Sequence, residues 1–122
     1  MRRRVFLAAL GAGTLSVLGC VSDEPTDAGS VREIHLTSSQ FSPSTLTIAA
    51  GTRVRFVNDG AVFHTITPEN ANQAGVWTRR ETTQRGTVFE HTFAVSGQTY
   101  RFRCEPHSSS FTSGMVGTIT VT

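Results

Sequence analysis

Four residues in the second half of the chain could together hold a metal ion: His64, Cys104, His107 and Met115. Glu105 and Pro106 separate Cys104 from His107, and seven residues, Ser108 to Gly114, then lead to Met115. A thiolate and two imidazoles with a long thioether contact make the trigonal site at which copper gains or loses one electron. The sulfur ligands favour Cu(I) and the imidazoles accept Cu(II). A compromise geometry lets both states exist with little rearrangement, which keeps the barrier to electron exchange low. Pro106 has no N–H, so it cannot donate to the thiolate and change its electron density. Plainer readings stand beside this one. Cys104 could be an inert buried thiol or half of a disulfide with Cys20. The two histidines could lie on the surface, and Met115 could be core packing. His35 and His91 lack comparable spacing and read as ordinary strand residues.

The segments around these residues alternate with a period of two. Ile34 and Leu36 share a face opposite Glu33 and His35, and Leu46 and Ile48 alternate with threonines. Val54 and Phe56 oppose Arg53 and Arg55. Val88 to Val95 reads as a further strand, with Phe89, Phe93 and Val95 on one face. Tyr100, Phe102 and Cys104 oppose Arg101 and Arg103, and Ile119 and Val121 lie among three threonines. Such alternation between turn residues indicates half-buried strands of an all-β sandwich or barrel. Cys104 ends an inward-facing stripe, so its thiol is expected to point inside. The hairpin that follows brings His107 and Met115 to the same end, and His64 follows another strand. Pro68 to Arg85 is the one long connector, with room for a short helix or strand. Its Trp77 is expected to cap the sandwich edge.

The first twenty residues read as an address. Arg2, Arg3 and Arg4 precede a nearly uncharged run from Val5 to Leu18, then Gly19-Cys20. A basic head and a short apolar stretch mark an export signal, and the run falls short of the roughly 20 apolar residues that span a bilayer. Arg3-Arg4-Val5-Phe6-Leu7 resembles the twin-arginine motif, which exports proteins already folded. Val17-Leu18-Gly19-Cys20 resembles a lipobox, whose cysteine carries lipid and begins the mature chain. The expected organisation is an export signal over 1–19, a lipidated Cys20 with a flexible tether over 20–30, and one folded domain over 31–122. The polar, Pro- and Gly-containing stretch from Val21 to Ser30 suits a tether.

Composition narrows the function. The 122 residues carry a formal charge of +2, 16% charged residues and no lysine. A GxxxxGK[ST] phosphate loop is impossible without lysine. Two cysteines exclude a multi-disulfide scaffold and a four-cysteine zinc site. Cleavage before Cys20 leaves 103 residues, with eight Arg against nine Asp plus Glu, a charge of −1. The basicity belongs to the signal, and the clustered cations of a nucleic-acid-binding face are missing. An unpaired thiol in an exported protein is exposed to oxidation, and ligation of Cys104 to copper answers that.

The chain resembles the cupredoxins, specifically the plastocyanin-like small blue copper proteins. The resemblance runs over most of Phe41 to Val121. It is carried by Phe41-x-Pro43-x-x-Leu46-x-Ile48-x-x-Gly51-x-x-Val54-x-Phe56-x-Asn58, then His64, then Tyr100-x-Phe102-x-Cys104-x-Pro106-His107, and finally Gly114-Met115-Val116-Gly117-Thr118-Ile119-x-Val121. It implies a Greek-key β-sandwich with one copper bound by His64, Cys104, His107 and Met115. Two departures stand out. The Ser-rich segment between His107 and Met115 is longer than in plastocyanins or amicyanin-like proteins. Thr65 follows His64 where many relatives carry an asparagine that ties the two ligand loops together, a task open to the threonine hydroxyl.

The expected function is electron transfer by a monomeric, exported, lipid-anchored copper protein of the cell envelope or periplasm. It transforms no substrate and is not an enzyme. Its partners are redox proteins, a cytochrome or a membrane electron-transfer complex, with no nucleic acid among them. In the family, the histidine of the Cys–His loop is the electron port, which assigns that role to His107, with Phe111 and Val116 as its apolar surround. A more distant exit would run through Arg103. The alternative use of the same residues is copper delivery or sequestration. A Cys–His hydrolase fits poorly, because nothing activates Cys104 as a nucleophile.

Overall fold

Alternation becomes burial throughout the computed structural model, which describes residues 30–122. The expected export signal over 1–19, the expected lipidation site Cys20 and residues 21–29 of the expected tether lie outside the described residues. Ile34, Leu36, Val54, Phe56, Tyr100, Phe102, Cys104 and Ile119 are all fully inaccessible. Their intervening neighbours face outward and pair there. Arg55 bridges Glu33 and Glu90, and Arg101 grips Glu69 through two nitrogens.

The described residues form nine strands: β1 Val31–Leu36, β2 Phe41–Ser42, β3 Thr45–Ile48, β4 Thr52–Asn58, β5 His64–Pro68, β6 Arg80–Thr82, β7 Gly86–Phe93, β8 Thr99–Ser108 and β9 Gly114–Val121. They build one sheet in the order β2-β1-β4-β7 and a second in the order β3-β9-β8-β5-β6. β1 runs parallel to β4, and β3 parallel to β9, while the other pairs are antiparallel. The described residues contain no helix, so the fold is the all-β sandwich that the alternation predicts. The strand expected over Val88 to Val95 is displaced: β7 begins at Gly86 and ends at Phe93.

Aromatic rings fill the space between the sheets. Phe56 stacks on Phe89 with centroids 4.8 Å apart, and Phe102 meets Phe41 edge-on at 4.8 Å. Trp77 corrects its expected place. It does not cap an edge but lies buried among Phe56, Phe93, Tyr100 and Phe102. Its Nε1–H donates to the Ile66 carbonyl at 3.1 Å, which settles its one polar group inside the core. The connector therefore folds inward at Trp77 before returning to the sheet edge as β6.

One glycine makes the packing of β8 against β9 possible. A Cβ at Gly117 would stand 2.4 Å from the Phe102 ring, so only a bare backbone lets that ring lie across β9.

Candidate metal centre

The pairing of β8 with β9 fails at one place, and that place carries the chemistry. Arg103 pairs with Val116, and the next paired residues are Ser108 and Gly114. Between them Cys104, Glu105, Pro106 and His107 on β8 oppose Met115 alone on β9. A β-bulge re-aims side chains beside functional sites, and this wide one aims Cys104 inward while letting His107 turn towards it. The ladder closes again at Ser108, so the sequence-based exit from the strand at Cys104 is replaced by a bulge and a shorter turn over 109–113. Gly114 makes that closure possible. Its φ is +98°, and a Cβ there would meet the His107 carbonyl oxygen at 2.7 Å.

Three of the four expected residues converge. His107 Nδ1 lies 3.2 Å from Cys104 Sγ, and His64 Nδ1 lies 3.5 Å from it. Ligand atoms of His64, Cys104 and His107 all fall within 4.8 Å of one another. His64 opens β5, pairs with Thr82 of β6, and is fully buried. His107 is half-buried. Met115, 1% exposed, enters β9 opposite the bulge. Among the described residues Cys104 is the sole cysteine, and it is free. His35 and His91 stand apart from the cluster. His35 joins Asp59 and Glu33, and His91 meets the Gly75 carbonyl at 2.7 Å.

The electrostatics suit a cation held by neutral imidazoles. Burial, reinforced by His107, pushes the His64 imidazole towards its neutral form, although the Thr37 backbone opposes the shift. That carbonyl does not reach hydrogen-bond geometry, and Nε2 of His64 stays buried without a partner. Burial likewise pushes the Cys104 thiol up, against the Thr65 and His107 backbone groups. A metal must therefore displace the thiol proton. One thiol proton can serve only one of the two facing Nδ1 atoms. A single soft-to-borderline cation would engage all three donors, and two imidazoles with a sulfur are the donor set that copper takes. The residues fit copper.

Thr65 takes up the task left by the missing asparagine. Its backbone N–H points at Cys104 Sγ, 3.4 Å away, and its hydroxyl accepts the Glu105 N–H at 2.9 Å. One residue thus tethers the sulfur and the strand that carries it. The Glu105 carboxyl is held down at about 2, first by Arg79 and then by the Thr67 hydroxyl.

The surface near the site holds the expected apolar residues partly covered and adds two more exposed ones. Phe111 is half-buried, with the Arg103 guanidinium 5.1 Å above its ring centroid, and Val116 is half-buried in β9. The exposed large apolar residues at this end are Val62 and Phe63, 43% and 40% accessible, directly before His64. Alternation could not single them out, because they sit in the turn before β5 and outside any strand period.

Known proteins share this chain's pattern. Residues 30–122 match the family described as copper binding proteins, plastocyanin/azurin family. Plastocyanin A/B of Petroselinum crispum is 34% identical over 87 residues, 66% of this chain and 86% of that one. Plastocyanin of Scenedesmus fuscus is 36% identical over 87 residues, 66% of this chain and 85% of its own. Among solved structures, a purple cupredoxin from Nitrosopumilus maritimus superposes with a TM-score of 0.57 at 26% identity, covering 75% of this chain and 99% of that one.

Proposed function

Because the chain belongs to the plastocyanin/azurin family of copper-binding proteins, we propose that it carries single electrons outside the cytoplasm through one type-one copper held by His64, Cys104, His107 and Met115. The observation that carries this reading is the convergence of two imidazole Nδ1 atoms on one buried thiol within a bulge opposite Met115. Electron transfer is the activity of cupredoxins, and copper is their cofactor. Bound copper supplies a one-electron couple; the family's members are carriers and not enzymes.

The protein's own residues do the rest. The aromatic core and the closed ladder around the bulge hold the donors before any ion arrives, so little has to move when the charge changes. Burial of Cys104 and His64 keeps water from the sulfur side. His107, the half-exposed member, is the port through which an electron enters or leaves. Val62 and Phe63 add apolar surface at that end, where a redox partner docks. The backbone from Cys104 to Arg103 offers a second, longer route.

Residues 31–122 are the copper domain. Residues 1–19 are the export signal, and Cys20 with the polar tether to residue 30 attaches the domain to a membrane as a monomer. The Arg3-Arg4 pair and the Leu18-Gly19-Cys20 sequence support this placement. Lipid on the N-terminal Cys20 of the mature chain, found by mass spectrometry, tests it. Cys20→Ser should release the domain from the membrane fraction.

The central test is reconstitution with Cu(II). It should give an intense thiolate-to-copper band in the visible, bleached by one electron and restored on reoxidation with the metal retained. Copper released at every reduction would point to delivery or sequestration instead. A Cys104→Ser protein that kept the full colour would overturn the site.

A further inference from the structure

Beyond the donors, three residues, Thr65, Thr67 and Glu105, close a ring of hydrogen bonds whose direction can be worked out, and Arg79 clamps it from outside. Arg79 donates to both carboxylate oxygens of Glu105, Nε to Oε2 at 2.9 Å and Nη2 to Oε1 at 3.0 Å. The ion-paired carboxylate only accepts. The Thr67 hydroxyl donates to Glu105 Oε2 at 2.8 Å, which spends its single proton. Its oxygen lies 2.9 Å from Thr65 Oγ1, so the Thr65 hydroxyl must be the donor there. Thr65 Oγ1 in turn accepts the Glu105 N–H at 2.9 Å. The chain of donors leaves Glu105 by its backbone N–H and returns to the same residue at its carboxylate. Every bond points the same way, so each polarises the next.

We propose that the ring of Thr65, Thr67 and Glu105, clamped by Arg79, positions Cys104 and sets the balance between the two oxidation states of the copper. The Glu105 carboxylate would otherwise swing into solvent, since the side chain is 34% exposed. The Thr67 hydroxyl holds it against β5, the strand that begins at His64. A negative charge fixed beside Cys104 favours Cu(II) over Cu(I), and the paired Arg79 cation offsets part of that effect. The ring also fixes the Glu105 amide and, through Thr65, the N–H aimed at Sγ. Arg79 sits just before β6, the short, exposed strand paired with β5, and from there its cation clamps the carboxylate.

The inference rests on the reading that Cys104 binds copper, and the visible band reports on that reading separately. Redox titration of the copper-loaded protein and of Glu105→Gln, Thr67→Val, Thr67→Ser and the Thr67→Val/Glu105→Gln double variant tests the ring. Glu105→Gln should lower the Cu(II)-to-Cu(I) affinity ratio about tenfold, a rise of about 59 mV for one electron. Thr67→Val should shift the potential the same way by untying the carboxylate from β5 and leaving it to Arg79 alone, and Thr67→Ser should restore it. In the double variant, loss of the charge should add less than a third of its single effect. Thr67→Ala, which adds no bulk, must repeat the valine result and serves if valine disturbs folding. Full additivity would show a charge acting through space without the ring and would overturn the proposal, as would unshifted potentials in all variants. A wild-type protein with no band would overturn the copper reading instead.

Discussion

The Arg103 guanidinium lies over the Phe111 ring, 5.1 Å from its centroid, and binds the turn between the ligand-bearing strands to the residue before Cys104. Arg103 Nη1 also approaches the Ser108 carbonyl at 3.5 Å and its hydroxyl at 3.4 Å, so the guanidinium reaches both the start and the middle of the tip. A cation over an aromatic face at a partly exposed site contributes about 0.5–1 kcal/mol. Phe111→Ala should therefore cost little global stability but loosen residues 109–113. Amide exchange there should speed up, while the visible band stays in place. Exchange in the turn matching the wild type would show that Phe111 does not restrain it.

Gly117→Ala should be costly. The new Cβ would stand 2.4 Å from the fully buried Phe102 ring, and neighbours on both sheets surround that ring. Overpacking of this kind costs typically about 1–3 kcal/mol. Denaturant unfolding should show the midpoint falling with its slope unchanged. Adding Phe102→Leu should recover part of the loss by vacating the space. Equal midpoints for Gly117→Ala and wild type would mean that the ring moves aside freely.

Copper should stabilise the domain by mass action. A ligand that binds only the folded state, at a free concentration 1,000 times its Kd, adds about 4 kcal/mol. Copper should accordingly raise the melting temperature and a chelator should lower it to the metal-free value. Cys104→Ser should lose most of the rise, since the sulfur faces both imidazoles. An equal copper-induced rise in the serine variant would place the binding elsewhere.

His35 gives stability a pH dependence away from the metal. Its Nδ1 lies 2.7 Å from Asp59 and its Nε2 3.0 Å from Glu33; the Asp59 bond above all raises its pKa over the ordinary 6.5, burial opposes it, and the Glu33 bond adds a lesser push upward. A raised folded-state pKa means that the contribution is complete below about pH 6.5 and fades as pH climbs through the folded value. The group is partly exposed, so its size stays within the roughly 0–1 kcal/mol of surface ion pairs. Unfolding measured across this range should lose part of its slope in His35→Gln. An NMR titration should find the His35 ring ionising above 6.5, and a value at or below that would contradict the assignment.

Much of this architecture could be read from the sequence, because a two-layer sandwich turns alternation directly into burial. Val54 and Phe56, Tyr100 and Phe102, and Ile119 and Val121 all lie inside as their spacing requires. The approach of His107 to Cys104 could be read for the same reason: Cys104 continues an inward stripe, and His107 follows it into one turn. Trp77 could not be placed, since a lone aromatic in a polar connector has no period to assign it a face. β6 was hidden too, because Arg80, Glu81 and Thr82 carry no apolar alternation. The Arg79–Glu105 pair joins residues 26 apart, and only the folded edge of the sheet brings them together. Val62 and Phe63 look like core material by type, and their exposure follows from the turn that carries them.

The four-against-one bulge has a consequence for how the protein can change. The Arg103–Val116 and Ser108–Gly114 pairs bracket the donors on both sides, while the turn over 109–113 lies beyond the second bracket. Residues can be added, removed or exchanged at that tip without altering the register that spaces Cys104, His107 and Met115. The outer turn is thus free to diversify towards new docking surfaces while the inner frame keeps its spacing, so recognition and ligand geometry can vary as separate traits along one hairpin.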